Sequence, residues 1–342
     1  MRNVHPTRSR RNWRLEAVRR MKRRQLVESW ISKCRSELHT LIALILLPAM
    51  LGVLPWPVGF RVARQLSRWQ WLYAAEWRAA LDQAQHWVEI SDPSGWAHRY
   101  RFTRLVDHLD YLRSRLLSRA TILRQIDVLT PWPEVAGTAM GGFFHWGANF
   151  PFVHALRAHG VDSCVLAGRV STRGMGGAWL GFLYGHIRLR ELARVSGGPL
   201  IYAPRTVQQS LDALQAGRWV IGTPDVPPSE TRMSVPVQLF GRTGYMPEGL
   251  LLIARKAGVP VVIFTLGLDF DTGRRDLRIF GPFDANDPGL MQRIADTWEG
   301  LIREKSWGFT LWPAMPAFFA TPAGGADTQV LAQRPPRSLP AL

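Results

Sequence analysis

Apolar positions along this chain change period several times, and each change marks an element. From about 61 to 125 they recur at helical spacing in a Trp-rich stretch whose charged faces carry Arg115 and Arg119. Short, nearly unbroken apolar runs follow at 140–146, 163–168, 218–223, 259–268 and 276–281, and these predict strands. Helical segments lie between them. Thr206 and Gln209 have the spacing of a capping box, Val207, Leu211 and Leu214 share one face, and Gly217 supplies a stop. Pro247 opens a further helix through Leu250 to Lys256, and Gly258 closes it. Ser234–Arg242 reads as an apolar loop leading into that helix, a pair that could line a lipid-chain tunnel, though ordinary core packing is the commoner role of such a pair. Strands alternating with helices of this length predict an α/β layer structure.

The N-terminal pattern is different. Leu41 to Leu54 reads LIALILLPAMLGVL, uncharged, with Pro48 in the middle, and Trp56, Pro57 and Phe60 extend the apolar character. Such a run is shorter than the roughly 20 residues a spanning helix needs, and Pro48 should kink it. An interfacial or re-entrant segment is therefore expected ahead of a plain span, with a short tilted span still open. The chain divides into a basic arm (1–36), an apolar anchoring segment (37–60), an α/β domain (61–320) and a polar, Pro-rich tail expected to be disordered (321–342).

Charge changes the picture in one respect. Residues 1–35 hold 12 Lys/Arg against Glu16 and Glu28, so the arm carries +10 of the formal +17 and the remaining residues +7. A basic arm can bind nucleic acid or anionic lipid. No DNA- or RNA-binding signature accompanies it, and the apolar segment directly after it points to lipid. Cations before an apolar stretch place the arm on the cytoplasmic side of a membrane. Cys34 and Cys164 are the two cysteines, too few for a disulfide framework or zinc cluster. The Gly174-Met175-Gly176-Gly177 run is too isolated for a dinucleotide site, and no cofactor or metal is expected.

Candidate chemistry gathers at strand exits. His145 stands at the end of the first strand run, in Phe143-Phe144-His145-Trp146-Gly147-Ala148-Asn149-Phe150, where the chain turns toward a helix. An imidazole there can face a cleft and accept a proton near neutral pH, although a lone His beside Phe and Trp is more often packed. Arg169 follows the second strand, and Asp225 the third, within Pro224-Asp225-Val226-Pro227-Pro228. Taken singly, Arg169 reads as half of a surface ion pair and Asp225 as a turn residue. Three such groups at successive strand ends of an α/β sheet favour one convergent site.

In this order the segments resemble the bacterial lipid A biosynthesis acyltransferases (lauroyl and myristoyl transferases) of the lysophospholipid acyltransferase-like superfamily. The resemblance covers about residues 35–320. It is carried by the basic, apolar N-terminus, the strand ending in His145-Trp146-Gly147, and His159-Gly160. Arg169-Val170, Tyr184-Gly185-His186-Ile187-Arg188, Ala216-Gly217-Arg218 with Pro224-Asp225, and Val235 to Arg242 follow. Leu252 to Val262 and Glu304 to Trp312 complete it. It implies a central mixed sheet flanked by helices, glycerolipid acyltransferase-like, on a membrane anchor at the cytoplasmic face of an inner membrane. It also implies acyl transfer from a thioester, on acyl carrier protein, to a hydroxyl or amine of an anionic, lipid A-like acceptor. His145 would be the base, Arg169 would bind phosphate or steady an oxyanion, and Asn149, Arg188 and Arg242 would contact substrate. One position departs. The family pattern is His, four residues, then Asp or Glu, and that place holds Phe150. Asp225 is the expected charged substitute; Asn149 offers an uncharged amide. The departure keeps a second reading open, an inactive lipid-binding or scaffold protein of the same fold.

Overall fold

The apolar runs of the sequence become neighbours in one sheet. The structure, a computed structural model, describes residues 30–171, 179–231 and 233–321. The basic arm up to residue 29, the Gly174–Gly177 run and the Pro-rich tail from 322 lie outside the described residues. The described residues form two compact units, those up to 47 with those of 170–187, and those of 48–169 with those from 188 on.

Helix α1 (Trp30–Gly52) is 23 residues long, so it measures about 35 Å, and it is apolar enough to cross a membrane by length and composition. It is longer than the sequence pattern suggests, because it reaches back through Lys33, Arg35 and Glu37. Pro48 does not break it. Leu41–Leu46 take a π-helical turn, in which the Leu47 N–H donates to the Ile42 carbonyl. A proline has no N–H to give, and its ring crowds the carbonyl four residues back; a wider turn just before it relieves both. In the same unit the Glu37 carboxylate accepts from the backbone N–H groups of Trp179 and Leu180.

The second unit carries helices α2 (Trp56–Leu66), α3 (Ala74–Ala84), α4 (Pro93–Leu116), α5 (Arg119–Leu123) and α6 (Phe152–Ala158). It also carries the part of helix α7 (Trp179–Ser196) from Arg188 on, then α8 (Thr206–Gln215), α9 (Gly249–Ala257) and α10 (Leu290–Glu304). Strands β1 (Ile126–Val128), β2 (Met140–Gly147), β3 (Ser163–Leu166), β4 (Gly197–Ile201), β5 (Trp219–Gly222), β8 (Val261–Leu268) and β9 (Arg275–Phe283) form a seven-stranded sheet. Its order is β1-β9-β8-β2-β5-β3-β4. The five strands from β8 to β4 run parallel, while β9 and β1 run against them, so the sheet is mixed. Every residue of β8 is buried, and β5 likewise, which is why central parallel strands read as unbroken apolar runs. The outlying β9 alternates instead.

Helices flank this sheet for legible reasons. Helix α4 starts where the Asp92 side chain accepts from the Gly95 N–H at 2.9 Å, with Pro93 at the first position. Helix α10 buries Leu290, Met291, Ile294, Ala295, Trp298, Leu301 and Ile302, a stripe at three- and four-residue spacing. A buried ion pair of Asp110 with Arg275 joins α4 to β9.

Three expectations need correction. Thr206 lies in the first turn of α8 and does not cap it; Arg205 holds the cap position without a side-chain bond, and Ser210 Oγ donates to the Thr206 carbonyl. Pro247 ends a strand, and the next helix starts at Gly249. Ser234–Arg242 is not a loop. It supplies strand β6 (Ser234–Leu239) and the start of β7 (Arg242–Pro247), an antiparallel hairpin whose inward Val237, Leu239 and Met246 belong to the core. Its two turn residues, Phe240 and Gly241, both have positive φ, as a tight two-residue hairpin turn demands. The helix stops at Gly217 and Gly258 stand as expected.

Candidate functional site

Strand pairing sets up the central contact. Strands β2 and β5 run parallel with Met140 opposite Val220, Gly141 opposite Ile221 and Gly142 opposite Gly222. Continuing that offset three residues puts His145 opposite Asp225. Backbone pairing between the strands ends at Gly222, and the Asp225 side chain takes over: its Oδ2 accepts from the His145 backbone N–H at 2.6 Å. Its Oδ1 lies 2.9 Å from His145 Nδ1. One carboxylate thus fixes both the backbone and the ring of the histidine.

The local course of β2 aims the ring. Phe144 and Trp146 are buried, whereas the His145 side chain is 35% exposed, as alternation along a strand requires. The register of β2 on β8 slips between Phe143 and Gly147. Gly147 has φ +78, and a Cβ there would stand 2.2 Å from the Leu266 carbonyl oxygen. The strand can make this close approach only with glycine. A strap after α10 closes the arrangement from the far side. The Thr310 N–H and Oγ1 both donate to the His145 carbonyl, at 3.0 and 3.2 Å, and Trp146 Nε1 donates to the Lys305 carbonyl.

The electrostatics follow from burial. The Asp225 side chain is 0% exposed. A carboxylate only accepts hydrogen bonds, so His145 Nδ1 carries the proton and Nε2 the lone pair. The pair therefore has the parts of a general base and the acid that orients it.

The other sequence candidates land as follows. Arg169 is exposed, three residues past β3, with its guanidinium 5.9 Å from the Tyr202 ring. Strand β3 lies beyond β5 from β2, about 10 Å to the side at ordinary strand spacing, and the three strands run parallel, so Arg169 leaves toward the same end of the sheet. Asn149 Nδ2 donates to the Phe144 carbonyl at 2.6 Å, and the Nδ1 position its amide was expected to steady is taken by Asp225. Phe150 is buried, edge-on to Tyr111, with the Arg188 guanidinium 5.7 Å from its ring. Arg188 pairs with both oxygens of Asp107 at 2.9 Å. Burial pushes the Asp107 carboxyl up, but the Arg188 charge and hydrogen bonds outweigh it and hold the group below its ordinary range. Arg188 thus serves the packing around Phe150. Arg242 lies on the β6–β7 hairpin, over the rings of Trp87 and Phe319, and is not joined to His145 by any contact described. Thr310 is the site residue that motif reading passed over, since nothing local marks a carbonyl clamp 165 residues from its partner.

Among the described residues no group of three or more His, Cys, Asp or Glu is placed to hold a metal ion. No protein-family model matches the chain, and no curated protein matches it.

Proposed function

We propose that this chain is a membrane-associated acyltransferase of the lipid A acyltransferase kind. It would move a fatty acyl group from a thioester, carried on acyl carrier protein, to a hydroxyl or amine of an anionic glycolipid. The observation that carries this reading is the His145–Asp225 pair at a strand end, with the ring partly open and its acid fully buried. Helix α1, long and apolar enough for a membrane anchor, supports the lipid side of it.

In the proposed reaction His145 Nε2 takes the proton of the acceptor as that oxygen or nitrogen attacks the thioester carbonyl. The tetrahedral oxyanion then collapses, the C–S bond breaks, and the leaving thiolate recovers the proton from the imidazolium. Asp225 keeps the tautomer and stabilises the cation. Base catalysis of this kind contributes about 10²–10⁴-fold. Arg169, at the same end of the sheet, would attract an acceptor phosphate.

Phe150 in the place of the family's acid favours a second reading, a lipid-binding scaffold without turnover. Transfer from acyl carrier protein to a lipid extract, followed by mass spectrometry, separates them. Wild-type protein should yield a lipid heavier by one acyl unit and His145→Ala should not. No product with wild-type protein on any acceptor leaves the scaffold reading.

A further inference from the structure

We infer that helix α2 and the turn after it form a second bilayer-contacting surface, seated at the headgroup level of an anionic leaflet and separate from helix α1. It rests on the membrane half of the reading above and needs no catalytic step.

Composition gives the first argument. Residues 38–75 contain no Asp or Glu, but they include Arg61, Arg64 and Arg68. A stretch of this length without a carboxylate, starting inside an apolar helix, suits a surface facing anionic lipid.

Geometry gives the second. Helix α2 buries Gly59, Phe60 and Ala63, and Ser67 continues that side. Arg64 turns back, pairing with Asp271 and lying over the Phe270 ring. The opposite side leaves Val58 and Val62 exposed at 45% and 37%, one helical turn apart, with Arg61 beside them. Just beyond the helix, Trp69 and Trp71 stack on each other with ring centroids 5.9 Å apart, yet both stay open to solvent at 47% and 42%. Arg68 is exposed next to them. Exposed valines and Arg61 on the helix, with paired exposed indoles and Arg68 just beyond it, make the composition of an interfacial segment, in which Trp sits at headgroup depth and the cations meet phosphate.

Continuity names the occupant. Helix α2 begins four residues after the end of α1, and the last turn of α1 exposes Met50, with Val53 directly after it. A chain anchored through α1 therefore delivers α2 to the same interface, and a bilayer covers this side ahead of a protein partner.

The test uses the full chain in a Cys34→Ser background, with buried Cys164 left in place. A spin label is attached at Val62→Cys or, as a control, at Val207→Cys on α8, also an exposed apolar position. The protein is reconstituted in vesicles of phosphatidylglycerol and phosphatidylethanolamine. Accessibility to oxygen and to a nickel chelate is then read by power saturation. The label at Val62 should report interfacial depth and the label at Val207 should report water. Equal nickel accessibility at the two positions overturns the proposal. So does dipolar broadening at Val62, which would mean that a second copy covers the surface. An immersed label with no acyl transfer sinks only the chemistry proposed above, and turnover with Val62 in water sinks only this surface.

Discussion

His145 is held at its backbone N–H, its carbonyl and its ring nitrogen, by two residues remote in sequence. The Asp225 substitution separates these roles. In Asp225→Asn an amide oxygen can still accept one N–H, but the amide nitrogen then faces the other, and the imidazole is driven to the wrong tautomer. Turnover in the acyl-transfer assay should fall on the order of 10³–10⁴-fold with little change in far-UV circular dichroism. Turnover within tenfold of wild type would remove Asp225 from the chemistry. Phe150 gives the complementary test. Its ring fills buried space against Tyr111, and the nearby Arg188 is already engaged by Asp107. Restoring an acid by Phe150→Asp should therefore cost about 3–5 kcal/mol in denaturant unfolding and add nothing to turnover. A rise in turnover would show that the acid position still matters. At this scale the sequence exposed His145 and Asp225 as strand-end residues. It did not expose the register that sets them opposite each other, because a strand's partner is written elsewhere in the chain.

Elements built on one dominant signal were readable. Strands β2, β5 and β8 announce themselves as apolar runs because both faces are covered. Hairpin β6–β7 hid because its strands alternate and one of its turn residues is a phenylalanine with φ +49. Helix α1 hid its length because its first turns, through Lys33, Arg35 and Glu37, are charged and lie outside the apolar run, while the π turn before Pro48 lets the helix continue past the proline. Strand β2 itself invites a direct measurement. Gly147→Ala adds a Cβ against the Leu266 carbonyl in a left-handed backbone, so a loss of roughly 3 kcal/mol or more is expected in urea unfolding. Loss under 1 kcal/mol would mean the close approach relaxes. Between helices α4, α6 and α7 lies a cluster that no local pattern announces. Ser114 Oγ donates to Glu191 Oε1 at 2.9 Å and stands 2.8 Å from His154 Nε2. Burial, then the nearby Arg119, lowers the His154 pKa from 6.5 to about 4. The unfolded chain thus takes up this proton near 6.5 and the folded protein only near 4. Stability is full above 6.5, falls as the pH drops through that window by about 3 kcal/mol, and levels off below it. His154→Gln, which keeps a donor for Ser114, should flatten the pH dependence of the unfolding midpoint between 6.5 and 4. An unchanged slope would show that other groups set it.

For the second unit as a whole, the buried pair of Asp110 and Arg275 links the longest helix to the strand next to the sheet edge. Removing one partner strands a charge in the interior. Asp110→Ala should cost about 3–5 kcal/mol by thermal or urea unfolding, while the paired change Asp110→Leu with Arg275→Met should recover most of it. A mild single variant would indicate that Arg275 finds solvent. The α/β class was within reach of the sequence, since alternation of strand and helix periods is a chain-long property; the mixed sheet was expected from the resemblance alone, because the antiparallel pairing of β9 leaves no mark on its period. The division at Leu47 was not, because α1 runs through it without a change in pattern.

On the reading proposed above, the clamp on His145 also bears on when the protein would become competent. Asp225 is made 80 residues after the histidine it orients, and Thr310 165 residues after it. A ribosome that has finished β2 has therefore produced the imidazole without its acid or its strap. While the apolar N-terminal segment is already free to seek a bilayer, the base stays loose, and a nascent or truncated chain lodged at the membrane should be chemically silent until the final strap is laid down.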